Sequence, residues 1–299
     1  MLAALLGSFV FTVKVFLPRF MRDRKPFQLT NVIRVYNLVL VAINAYFLSR
    51  LAPLTYIGGG GYNLLCQGVD VLFRDERTLR IISLTYYYSM VRIVEFMDTI
   101  FFVLRKKFNQ ASTLNVSHHC ISVALPWWGL AYGIDGQVML LVLVNMAIHV
   151  VMYFYYFLSS FGPCVHKYLF WKKYLTRVQI VQFILTAVHM SIPLIVDCGY
   201  PKMTSLVTLV SMFYFIVMFG HFYRKAYHRR DETRPDKKAL RESAATAAAA
   251  AKPAAHGHGD GHTMLDDPNG GLRRRPTEQH TNSHVVSSLL NSDQSQTIF

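Results

Sequence analysis

The sequence predicts an all-α polytopic membrane protein with seven transmembrane helices and a disordered cytosolic tail. Hydrophobic residues make up 53% of its 299 positions and charged residues only 16%. The apolar residues gather into runs close to the ~20 residues a helix needs to cross hydrocarbon. Short basic connectors separate those runs, and from Arg224 onward the runs stop.

The runs give seven spans, at 2–17, 32–51, 81–104, 114–133, 137–160, 176–196 and 203–223. The first is the shortest, begins at Met1 and carries Lys14, which leaves a cut or alternative N-terminus open. It does not read as a cleaved signal peptide, because no basic region precedes it and no small-residue cleavage site comes after it. The seven spans form a body, 1–223, followed by a low-complexity tail, 224–299.

Lys and Arg near span ends stay preferentially in the cytosol. Connectors after spans one, three and five carry 11 of them: Arg19, Arg22, Arg24, Lys25, Arg105, Lys106, Lys107, Lys167, Lys172, Lys173 and Arg177. The opposite connectors carry 5, namely Arg50, Arg74, Arg77, Arg80 and Lys202, with Asp70, Asp75 and Glu76 beside three of them. The N-terminus is therefore expected in the lumen and the tail in the cytosol, with the Arg74 to Arg80 cluster against it. The tail's 12 basic and 9 acidic residues account for +3 of the whole-chain +14, leaving +11 on residues 1–223. A basic membrane body points to anionic partners, lipid headgroups or a phosphorylated substrate, and not to nucleic acid. The tail histidines, His256, His258 and His262 among them, read as low-complexity composition rather than a metal site.

Topology sorts the four cysteines. Cys66 and Cys198 fall in luminal connectors, where an oxidising compartment allows a disulfide. Cys120 and Cys164 lie in span four and a cytosolic connector, and are expected as free thiols.

Ionisable groups inside a span are costly and need a reason. In span three, RIVEFMDT puts Arg92, Glu95, Asp98 and Thr99 in one sector of about 120° at 100° per residue. Span four contributes Asn115, His118 and His119; span five aligns His149, Met152, Tyr153 and Tyr156; span six adds Thr176, Gln179 and Gln182. At about 1.5 Å per residue, His118 lies roughly 6 Å, Gln182 and Asp98 about 9 Å and His149 roughly 16 Å inside the cytosolic edge. Four polar faces at overlapping depth describe a chamber opening toward the basic connectors. The bland alternative is an interhelical hydrogen-bond network, with Arg92 pairing Glu95 or Asp98.

Histidines on membrane helices also raise a di-iron desaturase or hydroxylase, which needs many imidazoles around two irons. Only His118, His119, His149, His166, His189, His221 and, at the very start of the tail, His228 precede the tail's low-complexity run, and several of these fall far from the chamber. A nucleophilic reading asks for less: one neutral imidazole, a neighbour that orients it, and donors for a developing oxyanion.

RIVEFMDTIFFVLRKK, NVSHHC, NMAIHVVMYFYY and TRVQIVQ resemble, in order and spacing, the four signature segments of the ELO family, the very-long-chain fatty acid elongases. The resemblance covers about residues 7–228, including RKPFQL and DCGYPK. It implies an endoplasmic-reticulum enzyme joining acyl-CoA to malonyl-CoA to give 3-oxoacyl-CoA, CO₂ and CoA; the shortage of membrane-embedded histidines and of other ligand clusters adds the expectation of catalysis with no metal and no cofactor. It also implies six helices in a barrel around an acyl tunnel, the first helix lying outside. Other elongation-cycle enzymes and a second copy of the chain are the protein partners it suggests.

Residue by residue, His118 would accept the acyl group with His149 as partner, and His119, Asn115, Glu95 and Asp98 would complete the catalytic set. Arg92, Thr99, Tyr153, Tyr156, Gln179 and Gln182 would contact substrate, and Lys106, Lys107, Lys172 and Lys173 would meet CoA phosphates at the mouth. Arg92 stands where the family usually has lysine, and Asn115 where it usually has histidine. An amide hydrogen-bonds but does not exchange a proton near neutral pH, so an acid–base role is not expected of Asn115. The chain ends SQTIF, without the dilysine-type retrieval signal of many relatives, and the Asn115-Val116-Ser117 sequon lies at the cytosolic edge, where it should stay unmodified.

Overall fold

This computed structural model describes residues 1–59, 61–69, 75–228 and 243. Among them every regular element is helical. The chain divides into two units, and the elements below belong to the first, residues 1–226. The expectations for Asp70, Arg74 and nearly all of the tail lie outside the described residues.

The first helix runs over Leu2–Phe20, as α1 (Leu2–Phe11), a π-helical stretch (Thr12–Phe16) and α2 (Leu17–Phe20). Then come α3 (Thr30–Leu54), α4 (Glu76–Val94), α5 (Phe96–Leu104), α6 (Thr113–Tyr132) and α7 (Met139–Ser159). A short α8 (Pro163–His166) leads to α9 (Lys172–Ile195) and α10 (Lys202–Tyr223). By length and composition five helices can cross a membrane: Leu2–Phe20, α3, α7, α9 and Lys202–Tyr227. The sequence-predicted spans three and four are helical but fall outside that set. The stretch 81–104 is broken at Glu95 between α4 and α5, and α6 is diluted by Asn115, His118, His119, Trp127 and Trp128.

Local chemistry sets the ends. The Asp75 carboxylate accepts the Thr78 N–H at 2.7 Å and caps α4. Bonds from the Thr78 side chain and backbone hold that carboxyl below the ordinary aspartate value, so the cap stays charged. Ser112 caps α6 by accepting the Asn115 N–H at 3.3 Å, and Gly133, at φ 132°, ends it. Pro126 inside α6 has no N–H to give Ser122, one turn earlier. At the α4/α5 break the Asp98 N–H bonds to Glu95 O at 3.1 Å, a tightened i to i+3 turn that re-aims the residues of α5.

Packing runs in a cycle: α3 lies against α4, α4 against α6, α6 against α10, α10 against α9, α9 against α7, and α7 returns to α3. The first helix sits against α6 and α5 outside that cycle. Leu40, Ile81, Tyr88, Met139 and Met146 join α3, α4 and α7; Leu114, Phe183, Met212 and Phe215 join α6, α9 and α10. In lipid such clusters act through close fit and interhelical hydrogen bonds more than through expulsion of water.

One end of the cycle is strapped. Cys66 and Cys198 are disulfide-bonded, their Cα atoms 5.9 Å apart. Beside the bridge the Val69 N–H donates to Gly199 O at 3.3 Å, and Gln137 Nε2 donates to Leu65 O at 3.0 Å. The α3–α4 and α9–α10 connectors and the α6–α7 turn thus form one linked end. Cys120 is half-buried and Cys164 exposed, both free.

Candidate active site

Arg92, nearly fully buried, is the hub of the polar cluster. Guanidinium groups only donate, so each neighbour must accept. Arg92 Nη1 reaches Glu95 Oε2 at 2.9 Å and Oε1 at 3.1 Å. Its Nη2 donates to Asn145 Oδ1 at 2.5 Å and to the Tyr88 hydroxyl oxygen. Tyr88 passes its own proton on to Asn44 Oδ1 at 2.8 Å, fixing a chain of donors from α4 to α3.

His149 closes the cluster from α7. Its Nδ1 lies 3.0 Å from Arg92 Nη1 and 3.3 Å from Glu95 Oε1. One nitrogen cannot serve both: without a proton Nδ1 accepts from Arg92, and with one it donates to Glu95. The i, i+3 spacing of Arg92 and Glu95 is what lets a single helical turn present cation and carboxylate together.

Beyond Glu95 the tightened turn sends Asp98 and Thr99 elsewhere. Asp98 Oδ2 accepts from the Tyr153 hydroxyl at 2.9 Å. Thr99 Oγ1 donates to Asn115 Oδ1 at 2.6 Å, tying α5 to α6. Of the four residues expected on one face, Arg92 and Glu95 thus meet His149, Asp98 meets Tyr153 and Thr99 meets Asn115.

The adjacent histidines of α6 meet edge to face, with ring centres 5.7 Å apart, but have different surroundings. His118 packs its ring 5.3 Å from Phe215 and faces a cavity of about 90 Å³. His119 is buried between Phe9 and Phe96, at ring separations of 6.3 Å and 6.2 Å, and its Nδ1 has no hydrogen-bond partner among the described residues.

Of the residues singled out from sequence, Arg92 and His118 line the cavity, together with Tyr88 and Asn145. The walls beyond them are mostly apolar, with Leu125, Leu141 and Met212 among them. His119, Asn115, Glu95, Asp98 and His149 are not among the cavity's lining residues, although His149 and Glu95 touch Arg92, which is. Gln179 Nε2 contacts Met152 Sδ at 3.6 Å, whereas Gln182 Nε2 is buried without a partner among the described residues. Thr176 is turned to its own helix, bonding Lys172 O at 3.5 Å, and Tyr156 packs edge-on to Tyr153 at 6.0 Å. Lys106 Nζ donates to Arg22 O at 3.1 Å, and Lys173 lies over the Tyr174 ring. Neither they nor Lys107 and Lys172 line the cavity. Among the described residues no three His, Cys, Asp or Glu side chains gather as a metal-ligand group.

Sequence reasoning missed Asn145, Tyr88 and Asn44. A periodic signal was available, since Asn145 is one turn before His149 and Tyr88 one turn before Arg92.

The model of the GNS1/SUR4 (ELO) family matches residues 1–235. The chain belongs to the ELO family. It is 39% identical over 222 residues to very long chain fatty acid elongase 4 of Mus musculus, covering 74% of this chain and 70% of that protein. The human elongase 4 is 38% identical over 223 residues, covering 75% and 70%. Very long chain fatty acid elongase 7 of Drosophila melanogaster is 38% identical over 228 residues, covering 75% and 68%. ELO-family membership thus extends over the described body, and includes the cavity with His118 at one end.

Proposed function

We propose that this chain is the condensing enzyme of very-long-chain fatty acid elongation, a multi-pass protein of the endoplasmic reticulum membrane whose seven spans include a six-helix barrel around an acyl tunnel. One observation carries the reading: in an ELO-family chain, a histidine imidazole opens onto a mainly apolar cavity beside a guanidinium and an amide. An acyl chain fits the apolar walls, and its thioester would lie at the polar end.

The neutral His118 nitrogen attacks the thioester carbonyl, the C–S bond breaks, and CoA leaves as a thiolate that takes up the proton released from the other nitrogen of the acyl-imidazolium. The product is an acyl-imidazole. Malonyl-CoA enters, its carboxylate leaves as CO₂, and the electron pair of the broken C–C bond becomes an enolate. That enolate carbon attacks the acyl carbon, the C–N bond breaks, and 3-oxoacyl-CoA forms while the departing imidazolide takes up a proton from water to restore His118. Donors pre-aimed at the oxyanion lower both barriers, by about 2.7–4 kcal/mol for a single well-placed donor; Arg92 and Asn145 stand on that wall.

His149, Glu95, Asn115, His119 and Asp98 act here as positioning residues, with Thr99 and Tyr153 holding them. Tyr156, Gln179 and Gln182 shape the surrounding chamber, and Lys106, Lys107, Lys172 and Lys173 attract CoA phosphates before entry. Membrane lipid surrounds the barrel, and other elongation-cycle enzymes would receive the product.

The test is purified protein with malonyl-CoA and a panel of acyl-CoAs, products read by mass spectrometry. Products two carbons longer support the reading; products lacking two hydrogens, or no product from protein that remains folded, reject it.

A further inference from the structure

At the end away from His118, the cavity is lined by Gly129, Ile134, Val138 and Thr204. On α6 its wall runs from His118 to Gly129, and on α10 from Phe215 to Thr204. Eleven residues of helix amount to roughly 16 Å of depth. Where α6 stops, Ile134 enters the wall from the α6–α7 turn and is almost fully buried.

Gly129 and Ile134 are matched. A Cβ on Gly129 would lie 2.6 Å from Ile134 Cδ1 and 3.6 Å from its Cβ, so only the missing side chain lets the isoleucine tip occupy its place. The tip cannot withdraw easily, because the turn that carries it is pressed from behind. Tyr200 donates its hydroxyl proton to Gly133 O at 3.2 Å. Tyr62 donates to Asp135 O at 2.5 Å. A Cβ on Gly136 would meet Val69 Cγ2 at 2.5 Å and the Tyr200 ring at 2.6 Å, so these two loops lie directly on the turn. The Cys66–Cys198 disulfide joins the same two loops.

We infer that Ile134, on a turn clamped by the disulfide-linked connectors, is the stop that fixes the longest acyl chain the cavity accepts, and that Gly129 sets where the stop rests. The inference rests on the condensation reading, and adds to it the residues that determine substrate length. A hydrocarbon terminus meets a branched aliphatic wall there, and it has no polar group with which to trade position. Length is then read sterically: one more two-carbon unit must displace Ile134 or bend elsewhere.

The experiment compares wild type, Ile134→Ala, Gly129→Ala and the double variant, each purified and incubated with malonyl-CoA and saturated acyl-CoAs of graded length. Truncating Ile134 frees space for about two carbons, so the cut-off should move one cycle upward. The rate on the first chain excluded by wild type should rise roughly tenfold, the effect of burying two further methylenes. Gly129→Ala should move the cut-off one cycle downward by pushing Ile134 into the cavity, and the double variant should return toward wild type, the non-additivity expected of contacting residues. If Ile134→Ala does not fold, Ile134→Val and Gly129→Ala carry the same comparison with smaller steps. Wild type that elongates alongside variants with an unmoved cut-off, or with an equal loss at every length, overturns the assignment. Wild type that makes no longer product removes the condensation reading and this one with it.

Discussion

Arg92 is buried with all its partners supplied by its own helix turn and neighbouring helices, and its energetics can be separated from its chemistry. Glu95 is the counter-charge, with 1% exposure, so removing it leaves a cation without compensation. Breaking a buried pair from one side costs about 3–5 kcal/mol. Glu95→Ala is therefore expected to lower the thermal unfolding midpoint in detergent markedly, and Arg92→Lys, which keeps the charge but loses the fork to Tyr88 and Asn145, to lower it less. An equal midpoint for Glu95→Ala and wild type would show that the pair does not stabilise the bundle. A second expectation concerns the histidines. His118→Ala should release no CoA from acyl-CoA in the absence of malonyl-CoA, while His149→Ala, which removes a partner of Arg92 and Glu95 outside the cavity lining, should retain part of that release. Intact-protein mass spectrometry should find the acyl adduct on His118; an adduct on Cys120 instead would reassign the nucleophile. The Arg92–Glu95 pair was legible in the sequence because residues three apart share a helical face. The partners of Asp98 and Thr99, Tyr153 on α7 and Asn115 on α6, were not, because spacing along one helix does not say which neighbouring helix each side chain meets. Nor could spacing show that neighbours 118 and 119 divide between cavity and packing.

Elements here are bounded by caps and turns that do not announce their purpose. Asp75 and Ser112 cap α4 and α6, whereas the break at Glu95 has no proline or glycine and arises where buried side chains find partners on α3, α6 and α7. The α6–α7 turn is the opposite case: GIDGQ reads as an ordinary loop, and only packing reveals that Gly136 admits no Cβ. Gly136→Ala is expected to force apart Val69 and Tyr200, at the roughly 1–3 kcal/mol typical of overpacking. Gly7→Ala, with open space around it, should leave the midpoint nearly unchanged. The Cys66–Cys198 bridge encloses a separation of 132 residues, and removing a native disulfide of this kind costs a small domain typically about 2–5 kcal/mol. Cys66→Ser should accordingly lower the midpoint, with little further effect when Cys198→Ser is added, since the two serve one bond.

At the scale of the whole molecule, composition predicts a membrane bundle because 53% of residues are hydrophobic, but it cannot say which helices close the packing cycle, since adjacency depends on side-chain fit. The orientation is inferred from charge alone and needs a test that also examines the spans. Cys164 is exposed just after α7, whereas the Cys66–Cys198 bridge lies across α9 from it in the chain. A single crossing by α9, which is long and apolar enough to span, must put Cys164 and Cys198 on opposite faces. The excess of Lys and Arg in the connectors after spans one, three and five puts the Cys164 side in the cytosol. In sealed microsomes, on a Cys120→Ser background, a membrane-impermeant maleimide should therefore modify Cys164 directly. Cys66 and Cys198 should react only after both permeabilisation and reduction. Protection of Cys164 together with reaction of the reduced pair in sealed vesicles would invert the orientation. Reaction of all three from one face would mean that α9 does not cross once, and the seven-span arrangement would fall with it.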